Sequence, residues 1–270
     1  MHYLLPILCA LLCFGATPVF ADDPPRLRVM SYNIHHGRGT DGVIDLERIA
    51  AVINAANVDL VALQEVDVKT GRSGRVDQLA ELARLTDMHA RFAKGRDYDG
   101  GDYGQAVLSR VPIESFQVHP LPPATEADKR IAASAVIAPQ RGLPRVVFVT
   151  THLHHQSEEF RLQQVARLGE ILQPHLDSPL ILVGDVNARP GSPVVNELLQ
   201  TYQDTTSDDA LTYPSTAPDR KIDYILLPKC HRWRVVHSEV IDEPLASDHR
   251  PVLAELEWLG ESSEQKGEQP

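Results

Sequence analysis

The sequence is short of cysteine, of basic residues and of long apolar runs, and each shortage excludes something. Only three cysteines occur in 270 residues, and two of them, Cys9 and Cys13, lie within the first 21. With that segment removed, Cys230 stands alone. No intrachain disulfide can then form, and an ordinary hydrophobic core must hold the chain. The longest apolar run, LLPILCALLCFG, falls short of the roughly 18 residues that a spanning helix needs. It is followed by ATPVFA, with Val19 and Ala21 at the −3 and −1 positions of a cleavage site. We read residues 1–21 as a signal peptide, although the segment before the apolar run lacks Lys and Arg. Neither Cys9 nor Cys13 follows the small residue that a lipoprotein signal requires. The expected location is the periplasm or the exterior, with no membrane-spanning segment in the mature chain and a monomer as the expected state. Lys and Arg number 26 against 37 Asp and Glu, a net charge of −11. With no run of Lys and Arg interleaved with aromatics, an extended nucleic-acid footprint is not expected.

What is present is about 249 residues of mature chain without internal repeats, enough for one large α/β domain, which we place at 26–259. The tail 260–270, GESSEQKGEQP, is polar and reads as disordered. The segments LRVMSYN, VDLVALQE, RVVFVTTH and PLILVGD have strand length and β-rich composition, and KIDYILLP, WRVVHSEVI and PVLAELEW follow later. Helical spacing runs through DLERIAAVINAAN, with Asp45 as N-cap. It recurs in SEEFRLQQVARLGEILQ, with Ser157 as cap and Glu158 and Glu159 in the first turn. In SPVVNELL, Ser192 caps and Pro193 takes the first helical position. GRDYDGGDYG, rich in Gly and Asp, reads as a mobile loop, a lid or a recognition segment.

The polar residues that interrupt these runs have an order. Asn33, Glu65, His152 and Asp185 stand at the C-terminal ends of apolar strands, whereas Asp223 and the pair Asp248-His249 stand at N-terminal starts. For all of them to meet, the first four strands must run toward one place and the last two away from it. That demands mixed sheets and excludes a doubly wound parallel sheet, where ligands lie beyond carboxyl ends alone. Asp185 and Asn187, two apart, would face the same side of an extended chain. At about 4 Å and an effective dielectric of about 20, each like-charged pair of converging carboxylates costs about 4 kcal/mol. A cation must therefore share the pocket. Oxygen donors without thiolate favour Mg²⁺, Mn²⁺ or Ca²⁺ over Zn²⁺. A hard metal beside histidines and an orienting amide is suited to attack on phosphorus.

The motifs MSYNI, LQEVD, LSRVPI, TTHL, GDVNARP, KIDYILL and SDHRPV resemble, in order and spacing, the endonuclease/exonuclease/phosphatase superfamily of metal-dependent phosphohydrolases. The resemblance spans Leu27 to Trp258 and implies a four-layer α/β sandwich: two mixed β-sheets packed face to face and flanked by helices. It implies that Glu65 is the principal metal ligand, helped by Asn33 and by Asp248, directly or through water. Asp185 would position or deprotonate the attacking water, and Asn187 would orient it or hold a phosphate oxygen. His249 would meet the phosphate as base or imidazolium, with Asp223 fixing its tautomer. His152 would be a second phosphate contact or the acid for the leaving group. Apurinic endonucleases lack a histidine there, whereas the deoxyribonuclease I and sphingomyelinase branches have one. Arg130, before the strand IAASAVI, matches an arginine that members often carry near the phosphate.

Plainer readings stand beside these. Asp185 and Asn187 suit a turn after a strand, Glu65 suits a buried pair with an arginine, and Asp248 suits a turn cap before Pro251. Arg72, Arg75, Lys94 and Arg96 form either a rim patch or, for most of them, solvated surface charge. We expect His154 and His155 at solvent or rim positions. The loop that holds His35 and His36 borders the site, where His36 either selects substrate or belongs to a plain glycine-rich surface loop. The expected substrate is a phosphoester, a lipid head group or small phosphodiester ahead of nucleic acid. The alternatives are a secreted non-specific nuclease, a catalytically silent binding module on the same fold, and a histidine-rich Zn²⁺ or Cu²⁺ scavenger.

Overall fold

The computed structural model describes residues 24–260 apart from 124, 126, 127 and 177; the expected signal peptide, 1–21, and tail residues 261–270 lie outside the described residues. Two six-stranded mixed sheets pack face to face. The first contains β1 (Arg26–Asn33), β2 (Leu60–Val68), β3 (His89–Tyr98), β4 (Gly101–Ser109), β11 (Trp233–Val240) and β12 (Val252–Trp258), in the order β11-β12-β1-β2-β4-β3. The second contains β5 (Ile113–Leu121), β6 (Arg130–Ile137), β7 (Val146–His152), β8 (Leu180–Asp185), β9 (Tyr202–Asp204) and β10 (Asp223–Pro228), in the order β5-β6-β7-β8-β10-β9. Each sheet has one parallel pair at its centre, β1 with β2 and β7 with β8, and is otherwise antiparallel.

Helices α1 (Leu46–Ala56) and α2 (Gln78–Thr86) cover the first sheet, and α3 (Glu158–Leu172) and α4 (Pro193–Thr201) cover the second. The expected caps form: Asp45, Ser157 and Ser192 accept backbone N–H groups of the first turns. α2 and β5 form outside the segments whose apolar spacing marked strands and helices. Among the described residues no helix is long and apolar enough to cross a membrane.

The central strands are buried on both faces, which is why they read as continuous apolar runs. In β1, Leu27 and Val29 face the other sheet while Met30 and Tyr32 face α1 and α2. In β8, Ile181 and Val183 face inward and Leu180 and Leu182 face α3 and α4. Following the inward series with its period of two gives Leu27, Val29, Ser31, Asn33 on β1 and Leu60, Ala62, Gln64 on β2. It gives Val146, Phe148, Thr150, His152 on β7 and Ile181, Val183, Asp185 on β8. Each series passes from apolar to polar toward the same edge of the sandwich. Antiparallel β10 starts there with Asp223, directly opposite Asp185, and runs away through Ile225 and Leu227. The mixed-sheet arrangement expected from strand direction is therefore the one observed.

Two expectations fail. Glu65 is not at the end of its strand: β2 continues to Val68, and Glu65 sits at a β-bulge with φ 60, where the pairing with β4 slips between Gln64 and Val66. The extra residue leaves the alternation of the strand, so Glu65 is turned into the cleft without breaking the sheet. GRDYDGGDYG is not a mobile loop but the tip of the β3–β4 hairpin. Asp99 (φ 45) and Gly100 (φ 72) form its two-residue turn, and Tyr98 pairs with Gly101. Two successive residues at positive φ match the twist of a hairpin, which is what the Asp-Gly pair specifies.

Candidate active site

The polar edge of the sandwich opens into a cleft of about 550 Å³. Glu65, His152, Asp185, Asn187, Asp248 and His249 line it, together with Arg72, Arg96, Arg130, Arg189 and Arg220. Asn33 and Asp223 lie just beneath, almost wholly buried.

Asp185 is the hub of the floor. Its Oδ2 accepts from Asn33 Nδ2 at 3.1 Å and lies 3.5 Å from His152 Nε2 and 3.9 Å from His249 Nε2. Its Oδ1 accepts from the backbone N of Asn187 at 2.9 Å, a side-chain turn that holds Asn187 at φ 53. Asn187 Nδ2 then donates to the carbonyl of Leu153. Gly184, at φ +147, makes this approach possible, because a Cβ there would stand 1.9 Å from the carbonyl oxygen of Thr151. The turn reading of Asp185 and Asn187 is thus correct as local geometry, and it serves to place both residues in the cleft.

His249 lies between two buried carboxylates. Its Nδ1 is 2.9 Å from Asp223 Oδ2, which also accepts from Thr212 Oγ1 at 2.6 Å. Burial disfavours its charge, but Asp223, Asp185 and Asp248 outweigh burial and push its pKa up to about 10. His249 is therefore an imidazolium at neutral pH. Burial first, and the negative Asp223 second, hold the Asp185 carboxyl well above the usual carboxylate range. His152 goes the other way: burial, then Arg130 and His249, keep its pKa well below the ordinary value, so it is neutral. Three titratable groups within a few ångströms thus have separated protonation states, the pattern that acid–base chemistry needs.

Opposite this triad, Glu65 and Asp248 are half-buried carboxylates. Asn33 Nδ2 donates to Glu65 Oε1 at 3.3 Å, and Asn33 Oδ1 accepts from the backbone N of His35. Ser247 Oγ donates to the Asn33 carbonyl and ties the Asp248 loop to β1. His249 stands between Asp185 and Asp223 and offsets their charge. A divalent ion fits beside Glu65. The donors are oxygen and imidazole, and the Nδ1 atoms of His35 and His36 are buried with no hydrogen-bond partner.

The basic residues divide. Arg72 is clamped by buried Asp67 through two bonds, at 2.7 and 2.8 Å, and lies over Tyr98 at 4.4 Å; it lines the cleft with Arg96. Lys94 instead pairs with Asp97 and Asp102, and Arg75 bonds to the Gly100 carbonyl at the hairpin tip. Arg130 NH2 lies 3.1 Å from His155 Nδ1, and both line the cleft. His154, expected at the surface, is only 3% exposed: its Nδ1 accepts from the backbone N of Gln156 and Ser157, and the ring packs on Phe160. A histidine that caps the entry to α3 satisfies its polar atoms inside. His36, expected near substrate, is turned inward at 6% exposure and does not line the cleft. Tyr103, Tyr213, Arg189 and Arg220 line it without having been singled out, and Thr212 and Ser247 brace it. Ser247 and Arg189 carried a signal, their places inside SDHRPV and GDVNARP.

Fold and site together define a phosphohydrolase sandwich. Residues 30–249 match the Endonuclease/Exonuclease/phosphatase family, and the chain belongs to it. It is 26% identical over 243 residues to the uncharacterized protein YbhP of Escherichia coli K12, covering 85% of this chain and 95% of that one. Among solved structures, an endonuclease/exonuclease/phosphatase from Beutenbergia cavernae is similar at 27% identity and TM-score 0.69, with 87% of this chain and 72% of that one covered. The mannosyl-6-phosphatase Bt3783 of Bacteroides thetaiotaomicron shares the fold at 18% identity and TM-score 0.71, with 85% and 99% covered.

Proposed function

We propose that the protein is an exported, divalent-metal-dependent phosphodiesterase in which water attacks phosphorus in line with the leaving group. The observation that carries the reading is the linked array Asp223–His249–Asp185–His152, which opens onto an arginine-lined cleft with Glu65 opposite. A divalent ion, Mg²⁺, Mn²⁺ or Ca²⁺, would be held by Glu65 with help from Asp248 and from Asn33, which bonds the Glu65 carboxylate, and would supply neutralisation of charge on the phosphoryl oxygens.

The chain's own residues supply the rest. Asp185, with its raised proton affinity, accepts the proton of the attacking water, and Asn187 beside it orients that water. His249, held as an imidazolium by Asp223, donates to a phosphoryl oxygen and stabilises the charge that grows there. His152, neutral and within reach of Asp185, offers an N–H to the phosphate or to the departing oxygen. Arg130 anchors the ester from the β6 side. Fixing these groups before substrate arrives removes reorganisation from the barrier.

The natural substrate in this reading is a lipid head group or small phosphodiester, taken by a monomer outside the cytosol. A nuclease reading has one observation in its favour. The net charge of −11 does not extend to the cleft, where five lining residues are arginines. The experiment is a panel: mature protein on a chromogenic bis-ester and monoester of phosphate, mannose 6-phosphate, sphingomyelin and plasmid DNA, with Mg²⁺, Mn²⁺, Ca²⁺ or chelator. Metal-dependent hydrolysis of diesters, lost in Glu65→Ala and His249→Ala, is the expected result. Monoester turnover alone would make it a phosphatase, and plasmid cleavage ahead of the small esters would make it a nuclease. No turnover by folded protein would leave the binding-module or metal-scavenging readings. Export is checked by fractionation and by sequencing the mature N-terminus, which is expected at Asp22.

A further inference from the structure

The turn after β1 is built in an uncommon way. His35 (φ 44) and His36 (φ 45) are consecutive non-glycine residues at positive φ, and the turn brings their rings to 4.5 Å between centroids in an edge-on arrangement. One ring nitrogen of each and one carboxylate oxygen of Glu65 lie within 4.8 Å of one another. Two ligands of one four-coordinate ion, each bonded at about 2.1 Å, stand about 3.4 Å apart. A closure of at most about 1.4 Å would therefore seat an ion among all three. His36 is 94% buried by its 6% exposure, and its Nδ1, like that of His35, is buried without a partner. A buried ring nitrogen left unpaired needs an explanation. Asp248 Oδ1 lies 3.6 Å from His35 Nδ1 and offers a fourth donor. Asn33, by contrast, is engaged at both ends of its amide: Nδ2 with Glu65 and Asp185, Oδ1 with the His35 backbone N.

We propose that His35 and His36 are ligands of the ion held by Glu65, with Asp248 beside them, so that the centre is a mixed imidazole–carboxylate site selective for a transition metal over Mg²⁺. The inference rests on the metal-dependent reading above and sets its ion class. Imidazole nitrogen suits later transition ions such as Co²⁺ and Zn²⁺ and is accepted by Mn²⁺, whereas Mg²⁺ holds to oxygen ligands and its own waters. The bulge that turns Glu65 inward and the turn that gathers the two histidines are then parts of one device, and Asn33 acts as the brace that aims the Glu65 carboxylate.

The test reads binding, not turnover. Chelator-stripped, full-length mature protein is titrated calorimetrically with Zn²⁺, Co²⁺, Mn²⁺ and Mg²⁺, alongside His35→Gln, His36→Gln and the double variant. Expected is Co²⁺ and Zn²⁺ affinity that falls by about tenfold or more in each single variant while Mg²⁺ affinity stays within about twofold, as loss of a nitrogen ligand predicts. Because His36→Gln changes a buried side chain, a second measurement uses the unmodified protein: pulsed electron paramagnetic resonance of the Mn²⁺-loaded form, expected to show imidazole ¹⁴N coupling. Absence of that coupling, or Zn²⁺ and Co²⁺ affinities unchanged in folded variants, overturns the proposal. Hydrolysis supported by an ion without nitrogen coordination would overturn this inference and leave the phosphodiesterase reading standing. Nitrogen-coordinated metal in a protein that hydrolyses nothing would do the reverse.

Discussion

His249 Nδ1 lies 2.9 Å from Asp223 Oδ2, and Thr212 Oγ1 donates to the same oxygen, so the aspartate is fixed before it fixes the histidine. Removing the negative charge while keeping the shape should uncouple that arrangement. Asp223→Asn is expected to lower kcat on the order of 10³-fold, as loss of a histidine-orienting aspartate does elsewhere. It also moves the basic limb of the pH–rate profile to lower pH, since the charge that raises the His249 pKa is gone. A profile with an unmoved limb would contradict the imidazolium role.

Stability in chelator should fall as pH rises. His249 has a folded pKa near 10 against an ordinary 6.5, so its contribution is fully present below pH 6.5 and is lost as pH climbs through 10. Asp185 is shifted in the same sense: its raised folded pKa gives a contribution present below the unfolded carboxylate value and lost as pH rises past the folded one. Urea midpoints at pH 5, 7, 9 and 10 measure the slope. His249→Gln is expected to flatten it between pH 6.5 and 10.

Gly184→Ala tests whether the turn that carries Asp185 is as tight as it looks. The added Cβ would stand 1.9 Å from the Thr151 carbonyl, at a φ of +147 that side chains disfavour. Either β7 and β8 separate locally or the turn shifts, and both displace Asp185. The expected result is a lower melting temperature together with a loss of kcat of about 10²-fold, the scale set by an ångström of misplacement. A melting temperature lowered with kcat intact would show that Asp185 is placed by something else.

Metal binding should appear in thermal stability through Glu65. An ion at about 100 times its Kd adds about 2.7 kcal/mol to the folded state by mass action. Wild-type protein should melt higher with Mn²⁺ than with chelator, and Glu65→Gln should show no such difference. Scanning fluorimetry of the two proteins is sufficient. A shift retained in Glu65→Gln would place the ion elsewhere.

Much of this was legible in the order of residues. The runs ending in Asn33, His152 and Asp185, and those beginning at Asp223 and Asp248, announced mixed sheets because strand direction is written in where the polarity changes. The helix caps at Asp45, Ser157 and Ser192 were legible because capping is a contact between near neighbours. The arginines were not. Arg72, Arg75, Lys94 and Arg96 have similar sequence surroundings, yet Asp67 and Tyr98 turn Arg72 into the cleft while Asp97 and Asp102 hold Lys94 outside it. His154 and His155 are adjacent and chemically identical, but one caps the start of α3 from inside and the other faces Arg130.

By itself the sequence determined the two periodicities: period two in strands covered on both faces, and the apolar-to-polar gradient that fixes which edge holds the chemistry. Both are local, set by backbone geometry and by the cost of burying a charge without a partner. Tertiary structure alone decided which charge each polar residue carries. The imidazolium of His249, the neutral ring of His152 and the protonatable carboxyl of Asp185 depend on groups far apart in the chain that meet across two sheets. Protonation answers to distance and burial in space, and neither is a property of the residue alone.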